Sequence, residues 1–347
     1  MEEELVSIAK VCVTTTLALA YCYFLISKLP PGKLRLISLV PVFYIFTQLP
    51  FIFASVHLRG ISAFFLVWLA IFKLLLFSVS QGPLSNPDLS FPLFLALSSL
   101  PIKLELAPGE KGRRVEIQTS NRGPLARIIG YSLKTLTLGV IVSWYPQRHH
   151  QHRMLLLAVY GVHMYLILDL VLAFAALLPV PFLAGRKLQF EPQFSPPYLS
   201  TSLQDFWGRR WNLMVTRLLH SIVYVPVKAY FGHSAGTVSA FMVSGAMHEA
   251  LFWYITSQRP TGECMCFFAL HGACTALEIR VKKVLGREKG WRPLPTVVAA
   301  PLTLTFVIMT AQWLFFPQLL SSNVENWLID ESTMVLNAVR KMVGPLY

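Results

Sequence analysis

Four histidines lie within apolar stretches of the sequence, where a neutral imidazole is well suited to act as a general base. They are His163, His220, His248 and His271. An ionisable side chain in such a place is energetically costly and usually has a function. For each of them, a neutral ring hydrogen-bonded between helices is the structural alternative. Burial disfavours the charged ring, so we expect it to be neutral and able to accept a proton.

His248 has the most informative neighbours. At helical spacing its face is shared with four other residues, which are Phe241, Ser244, Gly245 and Phe252. The small residues one turn before the ring are predicted to leave room for a substrate atom. Glu249 lies about 100° further round the helix and is predicted to serve another contact.

A second unusual segment ends at Asn212. It combines two tryptophans and two arginines, namely Trp207, Arg209, Arg210 and Trp211. Such a composition is typical of an amphipathic helix at the membrane surface, in which Asp205 and Arg209 would form an i,i+4 pair. Asn212 stands where the chain enters the next apolar run, and an amide at that depth needs hydrogen-bond partners.

One rival motif suggests a lipase. Gly232-His233-Ser234-Ala235-Gly236 fits G-x-S-x-G, with Ser234 as the nucleophile. That motif requires a strand–turn–helix unit, for which Ile222–Val227 is the candidate strand. The repeating βα pattern is absent elsewhere, so the two glycines are predicted to form a loop between membrane helices. A transporter is a further alternative, but the internal symmetry typical of that class is not visible.

The composition indicates an integral membrane protein. Of 347 residues, 54% are hydrophobic and only 14% charged, and the mean hydropathy is +0.55. These values exclude a soluble, disordered or coiled-coil chain. The net charge of +13 is predicted to face an anionic leaflet rather than nucleic acid. None of the five cysteines forms a C-x-x-C pair, so neither a zinc site nor a disulfide framework is indicated.

Apolar runs predict an all-α, polytopic transmembrane helical bundle with roughly seven to nine membrane segments, some of them broken or re-entrant. The predicted spans are Leu5–Ile26, Leu36–Val56, Ile61–Val79, Leu125–Tyr145, Met154–Leu178, Val238–Ile255 and Pro293–Leu320, with shorter stretches at Leu218–Phe231 and Met265–Leu277. The acidic start, Met1-Glu2-Glu3-Glu4, is unlike a signal peptide.

Basic residues predict the sidedness of the first half. Lys28, Lys33 and Arg35 place the first loop in the cytosol and the N-terminus across the membrane. The same count places Lys103–Arg127 and Pro179–Trp211 in the cytosol. A third basic cluster, within residues 280–292, is not placed by this count.

The second segment gives the sequence a family resemblance. Ser202–Asn212, followed 36 residues after Asn212 by His248, resembles the membrane-bound O-acyltransferase superfamily, and within it the plant wax synthases. Four further motifs are similar to that family: Gly82-Pro83-Leu84, Pro101-Ile102-Lys103-Leu104, Glu191-Pro192-Gln193-Phe194 and Leu270-His271-Gly272. The chain departs from many relatives at Ser195-Pro196-Pro197, where an Asn-Glu-Pro sequence is expected.

The resemblance implies a helical bundle enclosing a catalytic tunnel. It implies one membrane-embedded acyltransferase domain over residues 1–347, with N-terminal spans in 1–80 and catalytic helices in 125–320. The implied reaction joins the acyl group of a fatty acyl-CoA to a long-chain fatty alcohol. A sterol acceptor is the main alternative, and diacylglycerol is also open. The implied location is the endoplasmic reticulum membrane.

Roles for individual residues follow from the same resemblance. His248 would deprotonate the alcohol, and Asn212 would donate to the oxyanion or hold the acyl carbonyl. Arg209 and Arg210, with Trp207 and Trp211, are candidates for binding acyl-CoA, and anchoring to lipid headgroups is the alternative for the arginines. Because a thioester is already activated, no cofactor or metal is expected besides acyl-CoA as co-substrate. The expected partners are acyl-CoA, the alcohol or sterol, and membrane lipids, without nucleic acid.

Overall fold

The computed structural model describes residues 2–104, 124–179, 188–189, 193–286 and 294–344, and these are almost entirely helical. The α-helices are α1 (Glu2–Phe24), α2 (Lys33–Gln48), α3 (Val56–Ser62), α4 (Ile71–Ser78), α5 (Phe91–Ser99), α6 (Pro124–Trp144), α7 (Arg153–Leu177), α8 (Leu203–Asp205), α9 (Leu213–Leu219), α10 (Val225–Thr256), α11 (Glu263–Leu285), α12 (Thr296–Leu314), α13 (Pro317–Leu320) and α14 (Val324–Val343). The predicted all-α class is confirmed.

Three π-helical stretches connect some of these helices, namely Ala63–Ala70, Phe206–Arg210 and His220–Tyr224. The strands β1 (Lys103–Leu104) and β2 (Leu188–Gln189) form a two-residue antiparallel pair. Parts of the predicted cytosolic stretches, including Glu191 and Pro192, lie outside the described residues, as do Arg287, Lys289 and Arg292 of the third basic cluster.

Seven helical segments in the described ranges are long and apolar enough to cross a membrane, which confirms an integral membrane protein. They are Glu2–Lys28, Lys33–Ile52, Val56–Ser78, Ile128–His150, Arg153–Leu177, Glu263–Leu285 and Thr296–Leu314. Six of them match predicted spans in position. The seventh, Glu263–Leu285, is longer than the predicted stretch Met265–Leu277 because its last turns contain charged residues that the apolar-run count left out.

Two predicted spans differ from the observed helices. The predicted span Pro293–Leu320 ends as a helix at Leu314, and Pro317 begins a separate turn because proline has no N–H with which to continue the hydrogen-bond ladder of the helix. Val238–Ile255 lies within α10, which is helical but not among the seven because serine, glycine, histidine and glutamate dilute its apolar residues. Gly232 breaks α10 with a φ of 84° and a ψ of 174°.

The chain divides into two compact units. The first comprises Met1–Asn121, Leu172–Gln193 and Leu213–Pro226. In it, α1 packs against α5 and α2 against α4 around a continuous apolar core. Leu19, Phe46, Leu74 and Phe94 are among its fully or almost fully buried members.

Two cationic side chains in the first unit donate hydrogen bonds to backbone carbonyl oxygens near the ends of helices. The Lys73 Nζ is buried and donates to the carbonyl oxygens of Leu97 and Leu100, both at 2.6 Å, at the C-terminal end of α5. Arg35 Nη1 donates to the Phe77 carbonyl oxygen at 3.0 Å, close to the end of α4. The last carbonyl groups of a helix have no hydrogen-bond partner within the helix and carry partial negative charge. Each of these cations therefore supplies a hydrogen-bond donor and a compensating positive charge.

The second unit comprises Arg122–Val171, Phe194–Asn212 and Val227–Tyr347. It contains α6, α8, most of α7 and α10, and all of α11 to α14, so it holds all six residues predicted for catalysis or acyl-CoA binding. Its cores are rich in aromatic side chains, with Phe252, Phe267, Phe268 and Phe315 in the larger one. The single-domain organisation of residues 1–347 stays a prediction.

Candidate active site

The His248 ring is half-buried against aromatic side chains. It stacks on Phe268 with ring centroids 4.3 Å apart and an interplanar angle of 28°. The Phe315 ring meets it edge-on at 5.8 Å. Two hydrophobic rings thus fix the orientation of the imidazole and reduce its contact with water.

A backbone contact decides which nitrogen of His248 carries the proton. Nδ1 lies 2.7 Å from the carbonyl oxygen of Ser244, one turn earlier in α10. Since a carbonyl oxygen can only accept, Nδ1–H is the donor, and the lone pair of the neutral ring is on Nε2. The residue is therefore a proton acceptor at Nε2.

The neighbouring Glu249 has the separate role that its helical position predicts. Its side chain is buried, and Oε1 accepts from the backbone N–H of Met265 at 3.0 Å. Met265 is in the first turn of α11, where N–H groups have no partner within the helix. Glu249 therefore caps α11 from α10.

Two glycines bring α10 and α11 together. A Cβ on Gly245 would lie 2.8 Å from the Met265 Sδ and 3.2 Å from the Phe268 Cβ. A Cβ on Gly272 would lie 2.8 Å from the Phe241 Cβ. The space beside Gly245 is thus filled by α11, and the expectation that it leaves room for a substrate atom is wrong. Its small size allows the close contact that places Phe268 under the His248 ring.

The segment before Asn212 changes helical geometry. Ser202 caps its start, with Oγ accepting from the Asp205 N–H at 3.2 Å. It continues as a π-turn over Phe206–Arg210, where the Trp211 N–H donates to the Phe206 carbonyl oxygen at 2.9 Å. The π-turn brings residue i above residue i+5 instead of i+4.

This geometry changes the expected ion pair. Arg210 Nε, rather than Arg209, donates to Asp205 Oδ2 at 2.7 Å, so the predicted Asp205–Arg209 pair is wrong. Arg210 Nη1 also donates to the Pro196 carbonyl oxygen at 3.2 Å. Arg209 is exposed and forms no charge pair with the residues that the structure describes.

Asn212 is buried and has a left-handed backbone with a φ of 37°. Asparagine tolerates this conformation better than most residues with a side chain. The chain is held on both sides of it, because the Arg210 carbonyl oxygen accepts from the Ser195 N–H at 3.0 Å and the Leu213 N–H donates to the Gln193 carbonyl oxygen at 2.9 Å. The amide is therefore presented from a constrained junction between two helical elements.

Trp207 and His248 meet at the same aromatic residue. The Trp207 ring lies 5.7 Å from Phe268, on which His248 stacks, and 5.7 Å from Phe241. Trp211 lies edge-on to Trp207 at 6.4 Å, parallel to Phe206 at 5.4 Å and edge-on to Phe194 at 5.1 Å. Binding of acyl-CoA by these tryptophans stays a prediction.

Phe268 and Phe315 were not predicted as site residues. The available signal was the i,i+3 spacing of Phe268 and His271, which places both on one face of α11. Their partners come from other helices, which the spacing does not reveal.

The other three histidines have different surroundings. His163 is buried, and its Nδ1 bonds the Tyr145 hydroxyl, while His220 is exposed and stacks on Tyr224 at 4.9 Å. His271 is fully buried with both ring nitrogens hydrogen-bonded. For these three, the structural alternative fits better than a role as base.

The lipase hypothesis fails on local structure. Ile222–Val227 is helical, so the strand that a nucleophile elbow needs is replaced by a helix. Ser234 Oγ accepts from Arg280 Nε at 2.8 Å. The predicted loop is wrong as well, because only Gly232 departs from helical geometry and Gly236 is buried within α10.

Comparison with known proteins shows the family of the chain. A model of the membrane bound O-acyl transferase family matches residues 190–270, which include Asn212 and His248. The probable long-chain-alcohol O-fatty-acyltransferase 1 of Arabidopsis thaliana is 40% identical over 348 residues, covering 98% of this chain and 98% of that protein. The chain belongs to the membrane bound O-acyl transferase family.

Two further relatives extend the match. The long-chain-alcohol O-fatty-acyltransferase of Simmondsia chinensis is 39% identical over 353 residues, covering 98% of this chain and 97% of that protein. The acyl-CoA–sterol O-acyltransferase 1 of Arabidopsis thaliana is 42% identical over 324 residues, covering 91% of each. The resemblance to plant wax synthases is confirmed, and the chain is a membrane-embedded acyltransferase.

The close contact of α10 and α11 is testable at Gly272. We expect Gly272→Ala to reduce the free energy of unfolding by about 1–3 kcal/mol, because the new methyl group clashes with the Phe241 Cβ. The measurement is the apparent melting temperature of the detergent-solubilised protein. Gly130→Ala in α6 is the control, since a Cβ there meets nothing within 4 Å. Equal melting temperatures for Gly272→Ala and the wild type would contradict the close contact.

Proposed function

We propose that this acyltransferase esterifies a long-chain fatty alcohol with the acyl group of a fatty acyl-CoA, giving a wax ester and CoA. Relatives named for long-chain-alcohol acyltransfer match nearly the whole chain, which supports this acceptor. The observation that carries the mechanism is the bond from His248 Nδ1 to the Ser244 carbonyl oxygen, because it leaves Nε2 as the acceptor.

The proposed reaction uses His248 twice. Nε2 takes the proton of the alcohol as the alcohol oxygen attacks the thioester carbonyl carbon. The C–O bond forms, the C–S bond breaks as the tetrahedral intermediate collapses, and the proton passes from Nε2 to the CoA sulfur. Throughout, Nδ1–H stays on the Ser244 carbonyl oxygen, which stabilises the imidazolium while it exists.

Asn212 is proposed to stabilise the oxyanion. Its side-chain N–H₂ is a donor, and a donor of this kind contributes about 3 kcal/mol to transition-state stabilisation in other acyl-transfer enzymes. The left-handed backbone at Asn212 supports this role, because unusual backbone conformations concentrate at functional sites.

Arg209 is the better of the two arginines for the phosphates of CoA. It is exposed, whereas Arg210 is committed to Asp205 and the Pro196 carbonyl oxygen. We place the enzyme in the endoplasmic reticulum membrane, with CoA arriving from the cytosol, and microscopy of the tagged full chain is the test of that location.

Replacing His248 should remove the base. We expect His248→Ala to lower ester formation in membranes by about 10²- to 10⁴-fold, since a positioned base contributes about that much. The measurement is product formed from acyl-CoA and alcohol per amount of folded protein.

Two control variants accompany His248→Ala. His220→Ala removes an exposed histidine, and Ser234→Ala removes the serine of the lipase motif. Both should keep transferase activity. Unchanged activity in His248→Ala would disprove the mechanism.

Acceptor identity is tested by feeding. In a host lacking its own neutral-lipid acyltransferases, cells expressing the chain and given a long-chain alcohol should accumulate wax esters, and cells given a sterol should accumulate few steryl esters. The specific alternative is that sterol is the preferred acceptor, because one relative is named an acyl-CoA–sterol O-acyltransferase. Steryl esters as the main product, with wax esters absent, would assign the acceptor to sterols.

The two arginines should respond differently to replacement by glutamine. Arg209→Gln is expected to raise the KM for acyl-CoA about 2- to 5-fold with kcat unchanged, since an exposed ionic contact contributes up to about 1 kcal/mol. Arg210→Gln should instead lower the melting temperature, because it breaks the pair with Asp205. An unchanged KM in Arg209→Gln would exclude this residue from the CoA site.

A further inference from the structure

We propose that His271 is a positioning residue for acyl transfer, acting through Trp207 on the aromatic contacts that hold the His248 ring. This inference rests on the proposed role of His248 as the base. His271 lies on α11, 23 residues from His248 in sequence and outside the 190–270 stretch that the family model matches.

A chain of hydrogen bonds passes through His271. The Trp207 Nε1–H donates to Nδ1 of His271 at 3.0 Å, and Nε2 of His271 lies 2.8 Å from Thr310 Oγ1. The Thr310 hydroxyl donates to the Phe306 carbonyl oxygen at 2.7 Å. Three elements are linked in this way: the π-turn that precedes Asn212, α11 and α12.

The direction of each bond follows from its ends. An indole N–H can only donate, so Nδ1 of His271 accepts and the ring proton is on Nε2. Nε2–H then donates to Thr310, whose own proton goes to the Phe306 carbonyl oxygen. The ring is therefore neutral with both nitrogens occupied and its side chain fully buried, which suits a support and not a base.

The two histidines of the site hold opposite tautomers. His248 has its proton on Nδ1 and its lone pair on Nε2, whereas His271 has its proton on Nε2 and its lone pair on Nδ1. The backbone carbonyl at Ser244 and the indole at Trp207 set these states. One imidazole is prepared to accept a proton from a substrate, and the other accepts only from a fixed indole.

The path from His271 to His248 consists of two ring contacts. Trp207, held by His271, lies 5.7 Å from Phe268, and Phe268 stacks on His248 at 4.3 Å. Phe268 and His271 are one turn apart on α11. This helix therefore contacts the His248 ring directly through Phe268, and it contacts the segment before Asn212 through the bond between His271 and Trp207. Loss of the bond would remove an acceptor of the half-buried Trp207 N–H, and the indole would lose a contact that fixes its orientation.

The expected kinetic effect is on kcat. A displacement of about 1 Å of a catalytic group costs up to about 10²-fold in rate. We therefore expect His271→Leu to lower kcat by about 10- to 100-fold, with the KM for acyl-CoA within about 2-fold of the wild type. A residue that only supports folding would lower the yield of folded protein and leave kcat per folded molecule unchanged.

The conservative variant is His271→Gln. The glutamine amide can accept from the Trp207 N–H through its oxygen and donate to Thr310 through its nitrogen, so it can replace both bonds. We expect it to recover kcat to within a few-fold of the wild type. Trp207→Phe removes the donor from the other end, and combining it with His271→Leu should lower kcat no further than the worse single variant does.

The experiment measures kcat, KM and folded yield for these variants in purified, detergent-solubilised full-length protein. Wild-type kcat in His271→Leu, no recovery in His271→Gln, or additive effects of His271→Leu and Trp207→Phe would each overturn the inference. If His271→Leu does not fold, Thr310→Val supplies the second measurement, because it removes the other partner of the ring and should lower kcat in the same way; wild-type kcat in Thr310→Val would overturn the inference.

His248→Ala, measured beside these variants, separates the two proposals. Activity retained in His248→Ala would overturn the mechanism of the proposed function, whatever His271→Leu does. An inactive His248→Ala with a fully active His271→Leu would overturn the positioning role alone.

Discussion

The stack of the His248 imidazole on Phe268 is the contact on which the candidate site depends. The ring can lie flat on Phe268 only because α10 and α11 approach closely at Gly245 and Gly272. The same approach lets Glu249 cap the start of α11. Backbone packing, a helix cap and the orientation of the proposed base are therefore one arrangement, and enlarging either glycine disturbs all three.

Much of the fold could be predicted because apolar run length is a local property. A helix that crosses the lipid bilayer makes its backbone hydrogen bonds within itself, so its formation does not depend on distant residues. A run of about 20 apolar residues, long enough to cross the hydrocarbon core, is therefore enough to predict one. The prediction was weakest where helices contain functional residues. α10 mixes His248, Glu249, serine and glycine into its apolar sequence, and Pro317 ends a span that apolar composition alone would continue.

The residues proposed for the site could be named from the sequence, but their contacts could not. His248, Asn212 and the role of Glu249 follow from local spacing and resemblance, whereas the bond between Trp207 and His271 joins residues 64 apart in sequence. The Arg209 pairing failed for a different reason. It assumed α-helical spacing, and the π-turn shifts the partner of Asp205 by one position to Arg210.

The π-turn also holds one residue more in front of Asn212 than an α-helical turn would. In an α-helix, deleting one residue rotates everything after it by about 100°. Within Phe206–Arg210 the same deletion would convert the i→i+5 turn into an i→i+4 turn, so the elements on either side of it would keep nearly the same relative orientation. A single-residue deletion should therefore disturb the direction of the asparagine less in this turn than in the α-helices of the site.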